Sequence, residues 1–122
     1  MPKIMLALAP PHKPDRLAAL LKDETGAEPT LASTGREALA LARENSYDLV
    51  ILEENLPDMS YLEAVKDLLG INAFINTAVL TDLPEEEFHE QSEGLGILSG
   101  ISTNAGQEEV RNLLDRLKEV SG

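Results

Sequence analysis

Asp48-Leu49-Val50-Ile51-Leu52-Glu53, running on into Glu54-Asn55-Leu56-Pro57-Asp58-Met59, is the most informative segment of the chain. Four consecutive apolar residues predict a strand buried on both faces. The polar residues and Pro57 that follow predict a turn at its C-terminal end. Beyond the turn, Leu62, Val65, Leu68 and Leu69 recur at helical spacing. Upstream, Ser33 or Thr34 can cap a helix, with Glu37 three residues after Thr34 completing a capping box. Ala38, Leu41 and Ala42 give that helix its apolar stripe.

Further toward the N-terminus the same alternation holds. A short strand is predicted around Pro29 to Ala32. Before it, Leu17, Leu20 and Leu21 mark one helix face, entered through the break Pro10-Pro11-His12-Lys13-Pro14 and stopped by Gly26. Near the N-terminus, Ile4-Met5-Leu6-Ala7-Leu8-Ala9 is another run of strand type. Toward the C-terminus, Ile75 to Thr81 predicts a fourth strand. Pro84 then opens a helix with Glu85, Glu86 and Glu87 in its first turn, where the helix dipole favours acids. Its apolar face is only Leu83 and Phe88, which predicts weak anchoring. Leu95 to Ser99 is expected to be a fifth strand, and Val110, Leu113, Leu114 and Leu117 mark the final helix.

Five strand–helix units imply an α/β fold, a (βα)5 doubly wound five-stranded parallel sheet with helices on both faces. With strand order 2-1-3-4-5, the functional crevice is expected at the C-terminal tips of strands 1 and 3. Those tips carry Leu8-Ala9-Pro10 and Glu53-Glu54.

Composition narrows the function. The chain has 122 residues, which fits one domain over 1–122. Hydrophobic residues make up 43%, enough for a core, but aromatics only 3%, so aliphatic side chains must build it. Lys and Arg number 10 against 22 Asp and Glu, a net charge of −12. Such a balance argues against nucleic acid and against an anionic membrane surface as direct partners. Cysteine is absent, which excludes disulfides, thiolate zinc sites and thiol catalysis. No apolar run approaches the ~20 residues of a membrane span, and no signal peptide is visible, so a cytoplasmic protein is expected.

Thr34-Gly35-Arg36-Glu37-Ala38-Leu39, Tyr47-Asp48-Leu49-Val50-Ile51-Leu52 and Leu56-Pro57-Asp58-Met59 together resemble the receiver domains of two-component response regulators. The resemblance covers essentially the whole chain, with Pro11, Leu17, Leu20 and Leu21 falling where receivers place Pro and Leu. Val79-Leu80-Thr81 is similar to the fourth receiver strand with its terminal Thr. The resemblance implies a flavodoxin-like, CheY-like sandwich, one receiver long and with no output domain. It also implies chemistry: a phosphoryl group passed from a phospho-His to an Asp, and Mg²⁺ held by oxygen ligands. Receivers supply an acidic pair after strand 1, the phosphoacceptor Asp, a Thr or Ser after strand 4 and a Lys after strand 5.

Against that pattern, the acidic pair aligns with Leu8 and Ala9, the phosphoacceptor with Glu53 and the lysine with Gly100. Only Thr81 is kept. No Lys stands between Lys66 and Lys118, so a slipped alignment restores none. The expectation is a pseudo-receiver, not an enzyme, with no cofactor and no bound metal. It would act in phosphorelay signalling through a protein partner: a histidine kinase, another regulator or its own copy as a homodimer. Two alternatives stay open at this level, a regulator phosphorylated on Glu53 or another acid, and a small-ligand sensor in the emptied crevice.

Individual residues carry paired readings. Glu53 is either a mimic of the phosphorylated Asp, reaching toward Thr81, or a solvated carboxylate at a strand tip. Thr81 is either a retained switch or the cap of the next turn. Tyr61 stands where receivers usually have Gly, and either covers the old pocket or packs half-exposed on its helix start. Glu53, Glu54, Asp58 and Asp82 match no dedicated metal motif. His12 and His89 are expected at the surface. Glu85, Glu86, Glu87 and Glu90 are either a solvated face or a docking surface for a basic partner.

Overall fold

The computed structural model describes residues 3–10 and 14–121. Pro11, His12 and Lys13, the middle of the proline-rich break, lie outside the described residues. Ten elements alternate along the chain: β1 (Ile4–Ala7), α1 (Asp15–Thr25), β2 (Thr30–Ala32), α2 (Gly35–Glu44), β3 (Leu49–Glu53), α3 (Tyr61–Ile71), β4 (Asn76–Leu80), α4 (Glu85–Ser92), β5 (Ser99–Ile101) and α5 (Gln107–Ser121). All neighbouring strands pair in parallel, in the order β2-β1-β3-β4-β5. Both border strands, β2 and β5, are only three residues long.

Strand periodicity sorts the side chains into two layers. Leu6, Leu49 and Ile51 point to one face, where Leu17 and Leu21 of α1 and Val110, Leu113 and Leu117 of α5 cover them. Met5, Val50 and Leu52 point to the other, against Ala38, Leu39 and Ala42 of α2 and Ala64, Val65 and Leu68 of α3. Every residue of β3 is buried. This explains the unbroken apolar run: neither face of the central strand meets water.

Helix ends follow local chemistry. Thr34 Oγ1 accepts from the Glu37 amide at 3.0 Å, and the Glu37 carboxylate accepts in return from the Ser33 amide at 2.9 Å. Gly26 closes α1 at φ 80°, a left-handed conformation that suits glycine.

One expectation is corrected here. The fifth strand is Ser99–Ile101, not Leu95 to Ser99. Gly94 and Gly96 both hold positive φ, which breaks any strand through them. Leu95 and Ile97 are apolar because they pack on the α2/α3 layer from a loop. Helix α4 has a poor apolar face, with Phe88 and Ser92 its buried residues. Phe88 is 4% exposed and clusters with Val79 and Tyr61. Tyr61 on α3 thus supplies apolar surface that α4 lacks.

Candidate functional site

Strand tips β1, β3 and β4 and the loop after β5 surround a crevice of about 520 Å³. Its apolar walls are Leu8, Leu17, Leu80 and Leu83. Its polar walls include Glu53, Glu54, Thr81, Asp82, Thr103 and Arg16. Leu8 and Ala9 follow β1 directly and are both buried. They bring no side-chain oxygen or nitrogen to the crevice.

Glu53 ends β3 and is 5% exposed, which corrects the reading of a solvated carboxylate. Its Oε1 accepts from the Ala9 amide at 3.0 Å. The longer side chain bends back to β1 and takes up a main-chain donor there, a contact that tethers the two strand tips. Thr81 follows β4. Its amide donates to the Ile101 carbonyl at 2.9 Å, and its Oγ1 accepts from the Leu83 amide at 3.1 Å. This is the geometry of a turn cap.

Tyr61 does not cover the crevice. It is 3% exposed and turned toward α4, its ring centroid 5.8 Å from that of Phe88. Its hydroxyl donates to Gln91 Oε1 at 3.2 Å. Burial, with the Glu54 charge adding to it, pushes the phenol pKa up. Neither sequence reading placed it there, because the Phe88 and Gln91 contacts join separate helices.

Gly100 lies inside β5 opposite Val79, not at the crevice. A Cβ there would come within 3.0 Å of the Phe88 ring and 3.3 Å of the Thr81 methyl. The later start of β5 shifts the register, so the strand delivers Thr103 and Asn104 to the crevice instead. Thr103 Oγ1 donates to Asp82 Oδ1 at 2.8 Å.

Besides Thr103 and Asn104, one more crevice residue escaped the sequence reading. Arg16, on the first turn of α1, lines the crevice and donates to the Asn104 carbonyl at 3.3 Å. Asp58 works away from the crevice. Its two oxygens accept from the Gly35 and Arg36 amides at 2.8 and 2.9 Å, which clips the β3–α3 loop to the start of α2. The Arg36 amide bond, above all, holds its carboxyl below the ordinary range. On α4, Glu85, Glu86, Glu87 and Glu90 are all exposed. His89 is exposed too, 3.7 Å from Glu85.

No protein-family model matches the chain. The response regulator GacA of Pseudomonas aeruginosa is 32% identical over 79 residues, which is 65% of this chain and 37% of that protein. A response regulator receiver protein of Anaeromyxobacter sp. (strain Fw109-5) is 32% identical over 85 residues, 70% of this chain and 35% of that protein. Among solved structures, the chemotaxis protein CheY4 of Vibrio cholerae superposes with a TM-score of 0.84 at 25% identity, over 96% of this chain and 98% of that one. The chain belongs to the CheY-like receiver domains. It spans about a third of the length of the curated relatives it matches.

As a receiver, the chain invites a test for Mg²⁺. Oxygen ligands in near-octahedral array are required. The β1 tip offers the side chains of Leu8 and Ala9, and among the described residues no three Asp, Glu, His or Cys come together to hold a metal ion. The donor set does not fit the ion. Among the described residues, no helix is long and apolar enough to cross a membrane.

Proposed function

We propose that this receiver domain serves two-component signalling as a pseudo-receiver, by protein–protein contact and without carrying a phosphoryl group. One observation carries the reading. The side chain at the phosphoacceptor position, Glu53, is folded back onto the Ala9 amide, beside a β1 tip made of Leu8 and Ala9. A carboxylate engaged there is not placed for in-line attack, and attack is sensitive to displacements of about 1 Å. The segment that carries β5 has no lysine between Lys66 and Lys118 to pair with a phosphoryl group. Leu8 and Ala9 are then the positions of the lost acidic pair, and Thr81 the retained residue, now capping its turn.

On this reading the domain has no catalytic activity of its own and is cytoplasmic, like the kinases and regulators it would meet. Its partner is a histidine kinase, another regulator or a second copy. The exposed acids Glu85, Glu86, Glu87 and Glu90 of α4 suit a basic partner surface.

Incubation with a small acyl phosphate and Mg²⁺, followed by intact-mass measurement, tests the reading. No phosphoryl adduct is expected on the native chain, nor on Glu53→Asp, because the metal ligands remain missing. A stable adduct on the native chain overturns it and favours phosphorylation on Glu53 or another acid.

A further inference from the structure

The emptied crevice remains a cavity of ligand size, since small-molecule sites run from about 300 to 1,000 Å³. We infer that the crevice binds a small organic ammonium ion carried on a short aliphatic body. Four leucines, Leu8, Leu17, Leu80 and Leu83, form an apolar wall that suits such a body. The described lining also carries three carboxylates, Glu53, Glu54 and Asp82, against one guanidinium, that of Arg16.

These groups differ in what they have left to offer. Glu53 already accepts from the Ala9 amide, and Arg16 is turned to the Asn104 carbonyl. Asp82 is exposed and steadied by the Thr103 hydroxyl, and Glu54 is half-exposed on the crevice wall. An ammonium group takes its acceptors singly, so it can use carboxylates that are too dispersed to share a metal ion. An anion would meet the excess of carboxylates and be repelled. A neutral aliphatic molecule would gain the leucines but leave the charge unanswered.

The inference rests on the same emptied crevice as the functional reading, but its test is separate: phosphoryl uptake is read by mass, ligand binding by amide shifts. The ¹⁵N-labelled full chain is titrated with hexylamine, hexanol and hexanoate. Hexylamine is expected to move the amide signals of Leu8, Thr81, Leu83 and Thr103, with hexanol weaker and hexanoate silent. In Glu54→Gln/Asp82→Asn, hexylamine affinity is expected to fall about tenfold, the scale of a lost charge-assisted hydrogen bond. The two substitutions keep an oxygen at each site, so the fold is retained, and an unchanged spectrum elsewhere checks it. Absence of crevice shifts with hexylamine, an equal response to hexanoate or an unaltered affinity in the double variant each overturns the assignment. So does a lysine-bearing peptide that shifts the same signals at lower concentration, because the cation would then belong to a protein partner.

Discussion

Asp58 shows how much a single side chain can arrange. Three orphan amides at the start of α2 find acceptors: Gly35 and Arg36 on Asp58, and Glu37 on Thr34. Asp58→Ala removes two of the three and releases the β3–α3 loop. A loss of about 1 kcal/mol in a denaturant titration is expected, the usual scale for a helix cap. The pH dependence follows from the lowered carboxyl. Its folded-state pKa lies below the unfolded value near 3.9, so the stabilisation is complete above that value and fades as pH falls through the folded one. Asp58→Asn should therefore flatten the acid limb of a stability–pH curve. Unfolding midpoints from neutral pH down to about 3 test it, and an unchanged limb refutes the role. None of this was legible from Pro57-Asp58-Met59. The motif announces a turn, but its partners stand 22 and 23 residues away, and no local pattern reports a contact across strands. Glu53 shows the same limit. Its position at a strand tip was readable, whereas its return to the Ala9 amide depends on β1 lying beside β3.

Among the elements, α4 shows a helix secured by a neighbour. Its own sequence offers one fully buried aromatic, Phe88, and exposes its acids. Tyr61 packs on that ring from α3, Gln91 receives the Tyr61 hydroxyl, and Gly100 leaves room beneath Phe88. Phe88→Ala should cost about 3 kcal/mol globally. Its particular signature is faster amide hydrogen exchange across Glu85–Ser92 than in α5. Uniform acceleration throughout the chain would show that α4 has no separate dependence on this ring. The elements were mostly readable because apolar runs and helical stripes are local signals. The fifth strand was not, since Leu95, Ile97 and Leu98 are as apolar as a strand needs. Only the backbone at Gly94 and Gly96 and the pairing with β4 separate loop from ladder.

At the scale of the whole molecule, the sheet order and the two helical layers agree with what the alternating pattern implied. Right-handed crossovers leave few other solutions. The charge of −12 spread over 122 residues sets how such a domain meets other proteins. Attraction between exposed charges is screened beyond about 8 Å at physiological salt. Association with a basic partner is therefore expected to slow as salt rises, with dissociation nearly constant. Stopped-flow mixing at several salt concentrations would read this, and a salt-independent on-rate would assign the contact to apolar surface instead.

The two border strands have a consequence for crowded solutions. At three residues each, β2 and β5 present too little unpaired main chain to template a neighbouring sheet. The outward-facing Leu31, half exposed on β2, would otherwise be an invitation to stack. Brevity at both rims lets a strongly parallel sheet stay finite, with no ladder long enough to seed a fibril.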